Sequence, residues 1–346
     1  MKSGALRQNL LGGTALLGLT SPVFFSNYRA MIFDTIPRDD YALYLLALLG
    51  RAGAVPPAPA VYRVLSVLPA APLFRWAPLY VFTNAAIDSV DYARATQAMA
   101  LLSYLAMVAT SVLLYHLTTK HLACSPAAAL VGMLLTYFAF GFTATYGVDP
   151  MCIATITLLI CLLDRPLAFS LLIFLAVFVN EKVGIIFTCV LTARGISSAP
   201  RFRAGRLQLA SALASVATYF AVRHFFPVAG HENETEPSTF VTGGLSTLHE
   251  NLSLKGAFVG ALPCTLVLLA WLAARRSYRV DWVHLKPADV VVFPFMLGLA
   301  LCINAHFTIG RDVMHGFPFL LPLLSKALDD AGLGRSTEVN AFRGSA

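Results

Sequence analysis

Charged residues are scarce in this sequence. Only 12% of its residues are Asp, Glu, Lys or Arg, whereas an average soluble domain carries about 25%. Hydrophobic residues make up 58% of the chain, and the mean hydropathy is +0.71. This composition excludes an ordinary soluble domain and predicts an all-α integral membrane protein, since the chain is long enough for roughly ten spanning helices of about 20 residues each.

Motifs of soluble enzymes are also missing. The sequence has no Gly-rich phosphate loop, no Gly-x-Ser-x-Gly elbow and no His-Glu-x-x-His motif, so soluble-type nucleotide or hydrolytic chemistry is not expected. None of the six cysteines stands in a metal-ligand spacing. The acidic loop 231–237 lacks the spacing and the central Gly of a calcium loop. No metal site or other cofactor is predicted, although the sequence leaves open whether a divalent metal assists.

The net charge of +7 does not indicate a nucleic-acid partner. The basic residues fall in short clusters between apolar runs, which is how positive charge orients a membrane protein. With the N-terminus inside, alternate short connections carry the excess of Lys and Arg. The pattern predicts a multi-pass protein of a bacterial inner membrane with both termini in the cytoplasm.

The apolar runs predict one transmembrane bundle over residues 1–328 and a short cytoplasmic tail over 329–346. The first span, 9–28, is interpreted as a retained helix, because no Ala-x-Ala cleavage pattern ends it. Nine further spans are predicted at 94–117, 125–147, 150–164, 166–180, 183–193, 207–227, 256–274, 287–306 and 316–328.

A long extracytoplasmic loop, residues 29–93, separates the first two spans. Its segment 41–49 has a helical composition but is too short to cross a bilayer. Its segment 62–82 contains three prolines and several charged or aromatic anchors. The first segment is therefore predicted to be an interfacial helix, and the second an interfacial or re-entrant helix.

Polar residues on the predicted outer side form the candidate site. Charge near the membrane boundary is costly, so each such residue is a functional candidate; the alternative is a side chain that reaches the headgroups or pairs with a neighbour. We predict that they share one cavity. The set comprises Asp39, Asp40, Tyr62, Arg63, Asp149, Glu181, Lys182, Arg311, Asp312 and His315.

The adjacent carboxylates Asp39 and Asp40 are the candidates for a general base. A carboxylate that lies beside a second carboxylate and is partly desolvated has a raised pKa, which suits proton removal from an attacking hydroxyl. The alternative is that one of them caps the helix beginning near Tyr41. Both roles can coexist in the pair.

The sequence Asn180-Glu181-Lys182 interrupts an apolar run and predicts a tight outer turn between two short spans. Its charges reach either a substrate or only water. Arg311 suits bidentate binding of a phosphate or carboxylate, and the alternative is an interface anchor paired with Asp312. His315, at a helix boundary, is expected to be interfacial more often than functional.

Several of these features occur in a familiar order. An N-terminal span precedes Asp39-Asp40-Tyr41 in the first loop and the later run Tyr62-Arg63-x-Leu65-x-x-x-Pro69. Glu181 in an outer turn and Arg311 before a short Pro-containing last helix complete the order. In these respects the chain resembles small bacterial polytopic glycosyltransferases of the GT-C class.

The resemblance implies an inverting sugar transfer from a polyprenyl-phosphate-linked donor in the membrane to an extracytoplasmic hydroxyl. Asp40 or Asp39 would act as the base, and Arg63, Lys182 and Arg311 would bind the donor phosphate. The chain lacks the sizeable C-terminal soluble domain of larger members, so the acceptor (glycan, lipid or protein) and the oligomeric state stay open. The alternatives are a secondary transporter or flippase, and a non-catalytic membrane assembly subunit.

Overall fold

The computed structural model describes residues 40–51, 62–76, 90–131, 148–197, 203–226, 247–249, 251, 285–303 and 313–332. Within these ranges the chain forms helices, turns and short connections, without a β-strand. The all-α prediction is therefore confirmed for the part of the chain that the structure describes.

Ten α-helices are labelled here in chain order. The first three come from the predicted outer loop: α1 is Asp40–Leu48, α2 is Val64–Val67 and α3 is Ala70–Trp76. The next is α4, Val90–His116, which continues as a π-helical turn over Leu117–His121. The remaining helices are α5 (Val148–Cys161), α6 (Pro166–Ala176), α7 (Glu181–Ser197), α8 (Arg203–Phe225), α9 (Val292–Ile303) and α10 (Phe317–Asp330).

Short 3-10 helices precede the last two α-helices, Pro287–Val291 before α9 and Met314–Gly316 before α10. Residues 126–131 are also helical, at the start of the predicted span 125–147. The predicted spans 9–28 and 256–274 lie outside the described residues. Helix α10 continues to Asp330, two residues into the predicted tail.

Only one described helix is long and apolar enough to cross a membrane by itself, the continuous helix Val90–His121 of 32 residues. It corresponds to the predicted span 94–117. Four other apolar helices are shorter, at Val64–Arg75, Asp149–Cys161, Pro166–Ala176 and Asp289–Cys302. The structure thus bears out helices in the predicted spans 94–117, 150–164, 166–180 and 287–306 without establishing a bundle of ten, and Val64–Arg75 lies in the segment 62–82 of the predicted outer loop.

Helix α4 contains hydroxyl side chains in an otherwise apolar sequence. Four of these hydroxyls, counting one in the π-helical turn, donate a hydrogen bond to the carbonyl four residues earlier in the same continuous helix. The distances are 2.8 Å for Ser103, 2.9 Å for Thr110, 2.9 Å for Ser111 and 2.7 Å for Thr118.

The helices from the predicted outer loop pack onto the bundle. Residues of α1 and α3, among them Leu45 and Phe74, form an apolar cluster with Ala98, Met99 and Leu102 of α4. The predicted helical segment 41–49 is confirmed as α1. The predicted single helix at 62–82 is instead divided into α2 and α3 by a turn at Leu68 and Pro69, since proline has no amide hydrogen to continue the first helix.

A larger apolar core joins α5, α6, α7, α9 and α10. At its centre the rings of Phe169, Phe187 and Phe319 meet edge to face, with centroids 5.2 and 5.6 Å apart. Helix α7 also packs closely on α8, because Gly184 has no side chain to separate the two helices. These contacts fix both ends of α7, where the charged pairs described next are found.

Candidate functional site

A buried ion pair joins the predicted outer loop to the start of α7. Arg63 Nε donates to Glu181 Oε2 at 3.0 Å, and Arg63 Nη2 donates to Oε1 at 2.5 Å. The two residues are 118 positions apart in the chain. Their side chains are only 10% and 17% exposed, so this bidentate contact ties the loop to the bundle.

Tyr41 connects α1 to the same pair. Arg63 Nη1 donates to the Tyr41 hydroxyl at 2.8 Å. Tyr41 directly follows Asp40, the first residue of α1. The helix that begins with the predicted base is therefore bonded to the Arg63–Glu181 pair. The Asp40 side chain and the whole of Asp39 lie outside the described part of the chain.

The ion pair controls the charge of Glu181. Burial by itself raises the pKa of the Glu181 carboxyl, but the charge and hydrogen bonds of Arg63 act in the opposite direction and lower this pKa to about 2. Arg63 in turn has its pKa raised well above the ordinary arginine value by Glu181, although burial opposes the shift. Both groups are charged at neutral pH, so neither serves as a proton acceptor there.

The turn before α7 places Glu181. Asn180 Oδ1 accepts a hydrogen bond from the Lys182 backbone amide at 3.0 Å, which is the contact of a helix N-cap. The turn is also bonded to the outer loop, because the Leu65 amide donates to the Phe178 carbonyl at 3.1 Å. The predicted turn between two short helices is confirmed, and its capping residue is Asn180.

Two tyrosines and a second arginine extend the site towards α8. Tyr62 donates from its hydroxyl to the Phe226 carbonyl at 2.8 Å, and its ring meets the Tyr219 ring edge to face at 6.3 Å. The Arg223 guanidinium lies over both rings, 5.5 Å from the Tyr62 centroid and 5.9 Å from that of Tyr219. Arg223 thus makes cation–π contacts with both aromatic rings.

A second buried pair of titratable side chains joins Asp149, at the start of α5, to His315, just before α10. His315 Nε2 and Asp149 Oδ1 are 3.2 Å apart, with the side chains 0% and 1% exposed. Burial alone lowers the pKa of His315, but Cys152 and Asp149, which both bond to the ring, raise it above the ordinary histidine value. His315 is therefore a buried partner of a carboxylate 166 residues away in the chain and not an exposed side chain.

The predicted site residues fall into two groups in the structure. Tyr62, Arg63 and Glu181 come together in one cluster with Lys182 next in the chain, and Asp149 and His315 form the other. Helix α2, directly after Arg63, contacts α5, whose first turn carries Asp149. Of the four remaining predictions, Asp39, Arg311 and Asp312 fall outside the described ranges, and for Asp40 only the backbone is described.

The contacts of Arg63 bear on the role predicted for it. Arg63 was expected to bind a donor phosphate, but three of its N–H groups already donate to Glu181 and Tyr41. Its charge is matched by a carboxylate at contact distance, so it is not a free cation. A phosphate would have to compete with Glu181 for the same guanidinium.

Sequence reasoning missed Tyr219 and Arg223. The available signal was an arginine four residues after a tyrosine near the end of the apolar run 207–227, a spacing that puts both side chains on one face of a helix. It also missed the buried pair Arg194–Asp289, whose atoms are 2.6 Å (Nε to Oδ1) and 2.5 Å (Nη2 to Oδ2) apart. This pair holds the other end of α7.

Comparisons of this chain with protein-family models, with curated proteins and with solved structures find no match. Within the described ranges, no group of three or more His, Cys, Asp and Glu side chains could hold a metal ion.

Proposed function

We propose that this chain is a multi-pass membrane glycosyltransferase of the GT-C type. It would transfer a sugar from a polyprenyl-phosphate-linked donor to a hydroxyl on the outer side of a bacterial inner membrane. The observation that carries the proposal is the contact of Tyr41, Arg63 and Glu181. It brings the segment after the Asp39–Asp40 pair, the Tyr62–Arg63 run and the turn before α7 to one place, as expected of a shared site.

The reaction needs few groups. Asp40 or Asp39 takes the proton of the acceptor hydroxyl as its oxygen forms a bond to the anomeric carbon. The bond between that carbon and the donor phosphate oxygen breaks on the opposite face, and the phosphate leaves with the bonding electrons. Nearby cations stabilise the negative charge that develops on the phosphate. Lys182 and Arg311 are the proposed cations, while Arg63 positions α1 and α7.

The exposed apolar side chains support the membrane setting. Helix α6 exposes leucines along one face, with Leu167 77% and Leu171 71% exposed, and α8 exposes Phe220 and Phe225 by 51% and 73%. Large apolar side chains in continuous stripes are unusual on a soluble monomer. Lipid tails would cover these stripes in a multi-pass protein.

The polar contacts between helices support the proposed sidedness. Each joins residues that the charge pattern assigns to the same side of the membrane. Arg63–Glu181 and Asp149–His315 belong to the predicted outer side. Three contacts belong to the predicted inner side. They are the Arg194–Asp289 pair, the hydrogen bond from the Gln208 side chain to the Leu163 carbonyl at 2.8 Å, and the hydrogen bond from the Ser125 amide to Asp329 at 3.1 Å.

Exchange of the proposed base tests the function. Asp40→Asn, Asp39→Asn and the double variant are expressed in cells that lack the gene. Mass spectrometry then compares their surface glycans and lipid-linked sugars with those of the wild type. We expect a loss of transfer by about 100-fold or more when the base is removed, together with accumulation of the lipid-linked donor.

The matched control is Asp164→Asn, since Asp164 is an exposed carboxylate near the end of α5 away from the site. It should transfer sugar like the wild type. Full transfer by the double variant would refute the base assignment. Identical glycans and lipid-linked sugars with and without the gene would refute the glycosyltransferase itself.

A further inference from the structure

The cluster around Tyr62 has more positive than negative charge. Its described side chains include two guanidinium groups, Arg63 and Arg223, and one carboxylate, Glu181. The carboxylate is engaged by Arg63. Arg223 contacts the faces of two aromatic rings, and its Nε has no hydrogen-bond partner among the described residues. The site therefore contains a cation that no described carboxylate neutralises.

Two further donors belong to the cluster. The buried Tyr219 hydroxyl has the Glu181 carboxylate as its neighbouring acceptor and makes no other hydrogen bond among the described residues. Asn180, only 1% exposed, uses its oxygen as a helix cap and leaves its Nδ2 donor without a described partner. A buried donor without an acceptor destabilises the folded protein. A ligand that supplies several acceptor oxygens would satisfy them.

The residues of the turn adjoin the aromatic pair. Val177 and Phe178 pack in one apolar cluster with Tyr62 and Tyr219, and Asn180 follows two residues later. The turn that carries Asn180 therefore adjoins the aromatic pair at the ends of α6 and α8. A metal cation is the wrong ligand for this set, because every unpaired atom is a donor and the free charge is positive.

Apolar surface lies directly beside these donors. Phe220, Phe225 and Phe226 near the end of α8 are 51%, 73% and 71% exposed, while Arg223 between them is half-buried. A ligand that contacts both regions has an anionic head and an apolar tail. Inorganic phosphate would use the head site alone.

We propose that Arg223, Tyr219 and Asn180 form a subsite for the phosphate head of a membrane lipid, whose apolar chain lies along the exposed phenylalanines of α8. The assignment rests on the proposed function, since it gives the lipid donor a place to bind beside Glu181. It adds Arg223, which has no carboxylate partner among the described residues, to Lys182 and Arg311 as a cation for the donor phosphate.

Binding of farnesyl phosphate to the purified full chain in detergent tests the subsite. Farnesol and inorganic phosphate serve as the two partial ligands. We expect farnesyl phosphate to bind at least about tenfold more tightly than either, because it uses both the donors and the apolar surface. Arg223→Gln should weaken binding about tenfold or more, and Tyr219→Phe, which removes only the hydroxyl, by a few-fold.

The matched control is Arg206→Gln, because Arg206 is an exposed arginine at the opposite end of the same helix. It should bind like the wild type. Arg223→Lys keeps the charge and should retain part of the affinity, which separates loss of charge from loss of fold. Gel filtration and helical circular dichroism verify the fold of each variant.

Each other outcome overturns the proposal. Unchanged affinity in Arg223→Gln places the lipid elsewhere, and absent binding to the wild type removes the subsite. If inorganic phosphate binds as tightly as farnesyl phosphate, the site binds free phosphate and not a lipid. This test and the test of the proposed function can fail separately. If binding depends on Arg223 but the surface glycans and lipid-linked sugars are the same with and without the gene, the lipid subsite stands and the glycosyltransferase function is rejected.

Discussion

Two buried arginines in the described ranges each meet a carboxylate in a bidentate contact. Arg63 is 8% exposed and bonds to Glu181, and Arg194 is 5% exposed and bonds to Asp289. Removing one partner of such a pair leaves an uncompensated buried charge, which costs about 3–5 kcal/mol, more than the pair itself contributes. These residues are therefore sensitive to substitution whether or not they contact a substrate.

Glu181→Gln tests the energetic role of the first pair. We expect a loss of stability of up to about 3–5 kcal/mol at pH 7, because Gln cannot neutralise Arg63. The folded-state pKa of Glu181 is lowered from 4.5 to about 2. The contribution of its charge is therefore complete above pH 4.5 and is lost as the pH falls through 2. The stability difference between wild type and variant should narrow over that window.

Chemical unfolding in detergent, followed by circular dichroism at several pH values, measures this difference. Asp91→Asn is the control, since Asp91 forms an exposed pair with Arg51 at 3.2 Å. An exposed pair contributes about 0–1 kcal/mol. If the two variants lose equal stability, the Arg63–Glu181 contact does not hold the loop to the bundle.

Among the elements, α7 has charged partners at both ends. Glu181 lies in its first turn and Arg194 in its last turn, an arrangement that also suits the helix dipole. At 1.5 Å per residue the two positions are about 20 Å apart along the helix. Between them, Gly184 allows close contact with Val177 and with Ser215 and Val216 of α8.

Gly184→Ala tests this helix contact. An added Cβ would lie 2.7 Å from Val216 Cγ2 and 2.9 Å from Val177 Cγ1, closer than atoms pack without strain. We expect a loss of about 1–3 kcal/mol from overpacking, despite the better helix propensity of alanine. Thermal unfolding of the two proteins in the same detergent measures the change.

Gly298→Ala is the matched control in α9. A Cβ at Gly298 meets nothing within 4 Å, so alanine should leave stability unchanged or raise it by up to about 1 kcal/mol. Equal effects at the two glycines would contradict the close contact of α7 with α8.

For the whole molecule, the proposed topology puts the two ends of α7 on opposite sides of a membrane. The labelling of two introduced cysteines, Leu68→Cys and Ile196→Cys, measures on which side each end lies. Leu68 is 49% exposed and lies close in the chain to Arg63 of the outer cluster, and Ile196 is 79% exposed and lies close in the chain to Arg194. A membrane-impermeant maleimide should label Leu68→Cys in intact cells. It should label Ile196→Cys only after permeabilisation.

The parent protein, with its native cysteines, gives the background labelling. The five described cysteines are buried or partly buried, so this background should be low. Labelling of both positions from the same side would contradict the topology. It would also remove the reason for placing Arg63, Asp149 and Glu181 on one outer face.

Properties that depend on local composition could be predicted from the sequence alone. Low charge and long apolar runs predicted helices, and those in the described ranges are present. Asn180 followed by two charged residues predicted the turn before α7. The division of segment 62–82 at Pro69 could have been predicted from proline chemistry, but the segment was assigned as one helix.

Which polar groups meet could not be predicted in this way, because it depends on how the helices pack in the folded protein. Arg63 and Glu181 are 118 residues apart, and no local pattern indicates that their helices pack side by side. The same holds for His315. Its position at a helix boundary gave no indication that packing would bury it against Asp149. Hydropathy and helix periodicity report on single segments, whereas the partner of a buried charge depends on how segments pack against one another.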